Sequence, residues 1–308
     1  MVTDNDVGKI TGGLERAAKK FGVWLGSVDS VEFYTAKYLL LNRAMSRDCV
    51  ILLVGHRSLS LLSFAFYCAI VGHKFSWCPF WHDYKLEGKK GIRFGLYDLL
   101  FRMALSFSQN HFVVSNYEKI STNTKAPQHV IRLPGFIDST PTGARSAWNF
   151  DRIIDILFVG RDVPHKQRSY ARRVSDQLGV KLKEVIPGEI TISDDDLLGL
   201  YRKSKIVFIP SRYESYSLVA VEGLLAGAIV VTLPNVMVGE SLSQYKRFVR
   251  CTDDEVQVIQ EISHQLENWV SPTDHEISFV THYFADETCK EIFLACFNGL
   301  LNSNFKSR

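Results

Sequence analysis

The stretch Lys205–Leu233 constrains the fold more than any other part of this 308-residue chain. It begins with the continuous apolar run Ile206–Ile209, which is typical of a strand buried on both faces of a sheet. A polar loop follows, and apolar residues then return at helical spacing over 218–225. Gly227 suits the left-handed end of that helix, and Ile229–Val231 begins the next strand. A strand, a loop, a helix and a second strand form the building block of a parallel α/β sheet.

Two carboxylates, Glu214 and Glu222, lie eight residues apart in this stretch. Glu214 is in the loop before the predicted helix, and Glu222 is predicted about two turns inside it. Eight helical residues span roughly 12 Å, about the length of a nucleotide sugar. The helix N-terminus between them offers N–H groups and partial positive charge that suit a pyrophosphate. A structural alternative stays open, in which Glu214 complements the helix dipole and Glu222 is solvated.

The residues from Pro210 to Gly227 follow the pattern P-S-x-x-E-x-Y-x-L-x-x-x-E-x-x-x-x-G. This pattern resembles the E-x7-E signature of the retaining glycosyltransferases of family 4, also called glycosyl transferases group 1. The resemblance implies the α/β GT-B fold, in which two Rossmann-like domains face each other across a cleft. It also implies that Glu214 is catalytic and that Glu222 binds the donor. Further donor-binding residues are expected around the helix start: Ser215, Tyr216, Ser217 and Leu218.

Two cations follow the first predicted strand of the second half, Ile153–Gly160. Arg161 and Lys166 resemble the family's G-R-x4-K element, whose cations clamp the donor diphosphate, and both are therefore expected to be catalytic. A leaving nucleoside diphosphate gains negative charge, which fixed cations in a dry cleft stabilise. Gln167 stands where the family usually has glycine. The alternative is that both cations are surface residues beside a turn.

The first half carries weaker versions of the family pattern. Gly12 and Gly13 resemble the G-G-x-E-R segment, whose glycines let the backbone approach the donor. An apolar strand should precede them, but Met1–Ile10 contains none, so the domain is expected to be truncated or reduced. His82 follows the predicted strand Lys74–Cys78 and resembles the family histidine that faces the donor sugar. We therefore expect His82 to be catalytic.

The resemblance divides the chain into two domains. Residues 1–145 form the N-terminal, Rossmann-like acceptor-side domain, and residues 146–308 form the C-terminal, Rossmann-like nucleotide-sugar-binding domain. The composition of Ser139–Asn149 is that of a linker. A last helix, predicted over about 283–302, resembles the family helix that crosses back to the N-terminal domain. Its apolar face would consist of Cys289, Ile292, Phe293 and Cys296.

The segment Gly88–Ser106 is predicted to form a basic amphipathic helix. Its apolar residues at helical spacing are Ile92, Leu96, Leu99, Leu100 and Met103, and its basic residues are Lys89, Lys90, Arg93 and Arg102. We favour a helix whose apolar face packs on the core while its basic side is solvated. In the alternative, the helix makes peripheral contact with an anionic membrane.

Composition excludes several classes of protein. A net charge of +3 is too small to indicate a nucleic-acid partner. The six cysteines show no C-x-x-C spacing and are interpreted as buried, reduced thiols of a cytoplasmic protein. The polar first residues do not form a signal peptide, and the longest apolar stretch, Leu59–Gly72, is too short to span a membrane.

The run Ser193-Asp194-Asp195-Asp196 contains a D-x-D pattern, which could indicate a metal-dependent transferase. We interpret it instead as a helix start, with Ser193 as N-cap and the acids complementing the helix dipole. No metal and no cofactor are therefore expected beyond the nucleotide-sugar substrate.

The function implied by the resemblance is that of a metal-independent, retaining hexosyltransferase in polysaccharide biosynthesis. It would move a sugar from a nucleotide-sugar donor to a hydroxyl of a glycan, lipid-linked or small-molecule acceptor. The alternative is a GT-B-like nucleotide-sugar-binding or scaffold protein without turnover. A NAD-dependent dehydrogenase would need G-x-G-x-x-G after its first strand, and Gly8, Gly12 and Gly13 have the wrong spacing. A phosphorylase-like enzyme would need a pyridoxal lysine and a much longer chain.

Overall fold

The computed structural model describes residues 1–3, 13–27, 31–42, 51–55, 58–80, 91–122, 125–134, 150–238, 242 and 245–305. Over these residues the chain forms two compact units, each with a parallel sheet and helices. The first unit takes the described residues up to Leu133 and those from Cys289 onward, and the second runs from Pro134 to Thr288. The prediction of an α/β fold with two parallel sheets is confirmed. The placement of the two units across a cleft stays a prediction.

The first unit contains, in chain order, β1 (Val2–Thr3), α1 (Gly13–Gly26), β2 (Tyr34–Thr35), α2 (Ala36–Asn42), β3 (Ile51–Val54), α3 (Leu59–Val71), β4 (Phe75–Cys78), α4 (Ile92–Ser106), β5 (Asn110–Val113), α5 (Asn116–Thr122) and β6 (Gln128–Val130). Its sheet has the strand order β2-β1-β3-β4-β5-β6, and all pairs are parallel. The apolar strands β3 and β4 are buried along their whole length, and β4 confirms the strand predicted over Lys74–Cys78.

The N-terminus corrects one sequence prediction, because Met1–Ile10 does contain a strand. Val2 of β1 pairs with Tyr34 of β2 and with Leu53 of β3, and it is buried. A strand of two residues is too short to produce an apolar run, so its place in the sheet comes from pairing with distant strands. The strand that was not predicted before the glycines is therefore present at Val2–Thr3.

The second unit continues with β7 (Ile154–Val159), α6 (Arg168–Leu178), β8 (Leu182–Val185), α7 (Asp194–Arg202), β9 (Ser204–Ile209), α8 (Leu218–Leu225), β10 (Ile229–Thr232), β11 (Phe248–Arg250), α9 (Glu255–Glu267) and α10 (Asp274–Tyr283), and α11 (Asp286–Phe305) follows. The strand, helix and strand predicted from the central stretch are confirmed as β9, α8 and β10. Gly227 has the predicted left-handed backbone, with φ 75°. The sheet order is β11-β10-β9-β7-β8, with all pairs parallel.

The end of the chain holds two helices where the sequence analysis predicted one. Tyr283 ends α10, and the last helix begins three residues later at Asp286. A capping box between Thr273 and Glu276 starts α10, and this signal was missed. From Cys289 onward, α11 belongs to the first unit, where Phe293 stacks on Phe21 of α1 with ring centroids 4.7 Å apart.

The helix α4 packs on the core, as we favoured, but mainly through a different face from the one predicted. Four of the five apolar residues predicted to face the core are exposed: Ile92 by 92%, Leu96 and Leu99 by 55% each, and Met103 by 46%. The fifth, Leu100, is half-buried against the core. The face that packs on the core instead carries Phe101, Ala104 and Leu105. Because α4 is apolar around most of its circumference, residue spacing could not decide which side would be buried.

Candidate donor-binding site

The sheet of the second unit reverses its direction of winding between β7 and β9. The chain runs from β7 outward to β8, and then returns to place β9 on the other side of β7. Open α/β sheets bind ligands beyond the carboxyl ends of their strands at such a switch point. The loops that carry Lys166 and Glu214 follow these two strands, so the topology brings the two predicted site residues to one place.

Lys166 and Glu214 form an ion pair, with 2.8 Å between Lys166 Nζ and Glu214 Oε1. The side chains are only 18% and 11% exposed, so solvent screens the pair less than a surface pair. The hydroxyl of buried Ser211 donates to the same Glu214 oxygen at 2.7 Å. Lys166 Nζ has three donors, and one is directed at Glu214, so others remain for an anionic ligand.

Backbone hydrogen bonds connect the three loops that follow β7, β9 and β10. The Arg212 N–H donates to the carbonyl of His165 at 2.8 Å, which joins the first two loops. Glu214 donates to Asn235 at 3.1 Å and accepts from Met237 at 3.0 Å, which joins the second loop to the third. The backbone that carries the Glu214 carboxylate is thus held from both sides, as a preorganised site requires.

Gln167 follows Lys166 in a left-handed conformation, with φ 53° and ψ 45°. The backbone of residues other than glycine rarely adopts this region, which explains why the family pattern has glycine at this position. When the Gln167 amide is oriented to satisfy its neighbours, its nitrogen donates to the Pro210 carbonyl at 3.2 Å and its oxygen accepts from Arg212 Nε at 2.7 Å. These contacts to the neighbouring loop offset the cost of the conformation.

The N-terminus of α8 begins beside this pair in the sequence. Ser217 is the N-cap, and its buried hydroxyl accepts from the Ala220 N–H at 3.4 Å. Of the other residues predicted to bind the donor, Tyr216 is buried, whereas Ser215 and Leu218 are half-buried. Glu214 lies three residues before the cap and is ion-paired, so it does not act as a first-turn acid.

Glu222 is the fifth residue of α8, so it lies about one turn inside the helix rather than the expected two. It is buried, and its Oε2 accepts from the hydroxyl of fully buried Tyr201 in α7 at 3.0 Å. The alternative that Glu222 is a solvated helix residue is therefore wrong. A buried carboxylate is costly without hydrogen bonds, and this one is oriented by Tyr201. No local pattern indicates this contact, because Tyr201 and Glu222 belong to different helices.

Buried Arg152 holds the other end of α8. Its guanidinium donates to the carbonyls of Ala226, at 2.8 Å, and Ser204, at 2.6 Å. Burial, and then the charge of Arg247, lower the pKa of Arg152 to about 10, so it stays protonated at neutral pH. A cation at a helix C-terminus interacts favourably with the helix dipole. Both ends of the helix that carries Glu222 are thus fixed.

The structure does not describe the surroundings of three other predicted site residues. Gly12 and His82 lie outside the described residues, and Gly13 begins α1. Arg161 follows β7 and is exposed, and it makes no ion pair within the part of the chain that the structure describes. The structure therefore brings Lys166 and Glu214 together and leaves the roles of these other residues as predictions.

The D-x-D pattern begins a helix, as predicted. Ser193 is the N-cap of α7, and its hydroxyl accepts from the Asp196 N–H at 3.1 Å. Among the described residues, no three His, Cys, Asp or Glu side chains are grouped so that they could hold a metal.

No protein-family model matches the chain, and no curated protein matches its sequence. Solved structures do match. Sucrose-phosphate synthase from Thermosynechococcus elongatus gives a TM-score of 0.74 at 11% identity, over 98% of this chain and 99% of that one. Anabaena HepE in complex with UDP and glucose gives 0.69 at 13% identity, over 97% and 98%. Both are similar to this chain along nearly their whole length.

The fold is GT-B. A third structure agrees with this assignment: the UDP-forming trehalose-phosphate synthase from Burkholderia xenovorans, in complex with glucose-6-phosphate, has a TM-score of 0.61 at 12% identity, over 85% of this chain and 75% of that one. At these identities the likeness shows the GT-B fold alone. The part of the E-x7-E resemblance that concerns the fold is thus confirmed, whereas membership of family 4 stays a prediction.

Proposed function

We propose that this protein is a retaining glycosyltransferase of the family 4 type, of the hexosyltransferase class, which moves a sugar from a nucleotide-sugar donor to an acceptor hydroxyl. The observation that carries the proposal is the Lys166–Glu214 ion pair. It lies at the switch point of a GT-B sheet and precedes the capped N-terminus of α8. The acceptor is a glycan, lipid-linked or small-molecule hydroxyl, which fits a role in polysaccharide biosynthesis.

The proposed roles follow from the charges of the site. Lys166 and exposed Arg161 stabilise the leaving diphosphate as its negative charge grows. The N–H groups at the start of α8 receive the same phosphates, because a helix N-terminus favours anions. These fixed charges supply what a divalent cation would otherwise supply, so we propose that transfer needs no metal.

The two carboxylates bind different parts of the donor, the ribose and the transferred sugar. Glu222, oriented by Tyr201, accepts the ribose hydroxyls, while Glu214 accepts from the sugar and positions it with His82. Because Ser211 and Lys166 both contact Glu214 Oε1, sugar contacts with Glu214 are coupled to phosphate contacts with Lys166. Such coupling favours a state in which donor sugar and diphosphate are bound together.

A UDP-sugar is the first donor to test, because HepE is described with UDP and glucose and the trehalose-phosphate synthases are described as UDP-forming. The complex of one synthase with glucose-6-phosphate makes a sugar phosphate the first acceptor to test. We further propose that the protein acts in the cytoplasm, since the cysteines of the described residues are free thiols.

The first experiment is a binding screen of UDP, GDP, ADP and their sugars by thermal shift, followed by calorimetry on the best ligand. Glu222→Ala should weaken nucleotide binding by about tenfold or more, since a charged acceptor contributes about 1.5–3 kcal/mol per bond. Glu222→Gln retains an acceptor for Tyr201 and controls for loss of that buried contact. Unchanged affinity in both variants would exclude the ribose role.

The second experiment measures transfer by Lys166→Ala, which should be slower by on the order of 10²-fold. The matched control is Lys205→Ala, because Lys205 Nζ pairs with Asp155 at the same 2.8 Å but at the amino end of the same strands. Equal rates for the wild type and Lys166→Ala would contradict the clamp. Equal losses in both variants would show a general effect of removing an ion pair.

The third experiment separates transfer from binding alone. Glu214→Gln and His82→Ala should bind the bare nucleoside diphosphate almost normally and lose transfer by roughly 10²-fold, as expected for positioning groups. A wild-type chain that binds the nucleotide sugar, yet neither transfers nor hydrolyses it with any acceptor tested, would be the scaffold protein of the alternative.

A further inference from the structure

The helix α4 exposes a continuous apolar stripe along its length. The stripe consists of Ile92, Leu96, Leu99 and Met103, which follow one another at intervals of four, three and four residues. This spacing places them on one side of a helix. Every one of them is exposed by nearly half or more. Large apolar side chains exposed singly are ordinary, but an aligned set of four indicates a surface that something covers.

The stripe is not needed for packing α4 on its own unit. The opposite side of the helix already supplies that contact, through Phe101, Ala104 and Leu105. Phe101 packs edge-on against Trp77 of β4, with ring centroids 4.9 Å apart. A helix that is apolar on both sides is typical of one enclosed between two apolar phases. The protein core is one of them, and the stripe faces away from it.

The neighbouring helix α3 extends this surface. It contains no charged residue, and its Leu59 and Ile70 are 68% and 84% exposed. These two residues are eleven positions apart, the same separation as Ile92 and Met103, so they share one side of α3. A ring contact between Phe66 of α3 and Phe107 at the end of α4 shows that the two helices adjoin.

The charges around the stripe are mostly basic. Arg93 follows Ile92 directly and is exposed. Arg102 pairs with Asp98 at 2.9 Å, which neutralises the one acidic residue of α4. In the sequence, Lys89 and Lys90 come just before Gly91, the N-cap of this helix. Over the described residues of α4, two arginines and one aspartate leave a net positive charge, which complements an anionic surface.

We propose that the outer side of α4 and α3 docks on an anionic lipid bilayer, with the stripe inserted at the level of the headgroups and the basic residues against lipid phosphates. An amphipathic helix with an apolar stripe and flanking Lys and Arg lies in the membrane interface rather than across it. In keeping with this, no helix in the described ranges is long and apolar enough to cross a membrane. The proposal does not involve Lys166 or Glu214, which lie in the second unit.

The test is flotation of the full chain with vesicles of phosphatidylcholine, with and without phosphatidylglycerol. We expect binding to the anionic vesicles only, weakened by added salt. Leu96→Ser combined with Leu99→Ser should reduce binding by about tenfold or more, the size expected from losing two buried leucine side chains. Arg93→Glu should reduce it by about fivefold or more through charge alone. All of these residues are surface-exposed, so the variants should fold normally, as circular dichroism would verify.

The matched control is Val256→Ser, which removes an exposed apolar side chain from α9 of the second unit and should leave vesicle binding unchanged. Failure of the wild type to bind anionic vesicles would overturn the proposal, as would equal binding to neutral ones. A concentration-dependent dimer that the leucine variant abolishes, without vesicle binding, would also overturn it and assign the surface to a second copy. None of these outcomes depends on glycosyl transfer, so the two proposals fail separately.

Discussion

The apolar helices α8 and α4 show how similar composition leads to different environments. In α8, all residues from Ala220 to Leu225 are buried, and Ser217 caps the helix with its side chain. In α4, one side is buried and the other exposed, and its N-cap Gly91 makes no side-chain hydrogen bond. The apolar content of a helix thus predicts that its apolar faces will be shielded from water, but it does not predict what shields them. The apolar faces of α8 pack against its own unit, whereas we infer that the exposed face of α4 contacts a lipid surface.

The largest expected effect separates the two sides of α4. Phe101→Ala should lower the free energy of unfolding by about 3–5 kcal/mol, because it leaves a cavity beside Trp77. Leu99→Ala, two residues earlier on the exposed side, should change it by no more than about 0.5 kcal/mol. Chemical denaturation of both variants measures the difference. Equal losses would mean that the stripe is covered in the free protein, and the comparison with α8 would fail.

The C-terminal ends of the two helices should respond differently to acid. The carbonyl of Leu105 at the end of α4 accepts from Nε2 of buried His111 at 3.0 Å, whereas α8 is held by Arg152. Burial lowers the pKa of His111 to about 4, although the hydrogen bond to Leu105 opposes this shift. The folded state therefore keeps His111 neutral at pH values where an unfolded histidine, with a pKa near 6.5, binds a proton.

Stability from this depressed pKa is fully present above about pH 6.5 and is lost as the pH falls toward 4. The loss should reach about 3 kcal/mol. Because carboxylates titrate in the same range, the measurement compares wild type with His111→Gln, which keeps a donor for Leu105 but cannot be protonated. The pH dependence of unfolding should be shallower in the variant. Parallel curves would show that His111 does not titrate as its burial implies.

Close packing around α8 predicts a smaller loss of stability for a substitution at Gly223 than for the changes above. A Cβ atom at Gly223 would lie 3.0 Å from Val207 and 3.1 Å from Val230, so the helix approaches the sheet closely there. Gly223→Val should destabilise the protein by about 1–3 kcal/mol, the usual cost of overpacking. Thermal unfolding measures the loss. A neutral result would show that α8 can move away from β9 and β10, contrary to its fixed ends.

Sequence reasoning identified the elements whose signals are local. The strand, helix and strand around Glu214 and Glu222, the left-handed Gly227 and the Ser193 cap depend on neighbouring residues, and all were predicted correctly. Sequence reasoning failed where the structure of a segment depends on contacts with distant parts of the chain. The strand at Val2 exists through its pairing partners, and the exposed side of α4 depends on what the sheet leaves uncovered.

The site shows the same division between local and distant signals. Lys166 and Glu214 were predicted separately from motifs, but their ion pair follows from the strand order, which no local pattern encodes. The contacts of Tyr201 with Glu222 and of Arg152 with α8 were likewise not predictable, because they join residues of different elements. Motif spacing can thus identify candidate site residues, whereas the residues that contact them are determined by the order of strands and helices in the fold.

The smallest expected effect is a gain in stability from Gly95→Ala in α4. Apart from its chain neighbours and the backbone of its own helix, no described atom lies within 4 Å of a Cβ built at Gly95. The residue is inside the helix, so alanine adds helix propensity without a clash. The gain should be about 0.5–1 kcal/mol, opposite in sign to Gly223→Val in α8. Thermal unfolding without lipid measures it. If Gly95→Ala destabilises the protein instead, another part of the molecule must cover this side of α4, and the inferred lipid surface would lose its structural basis.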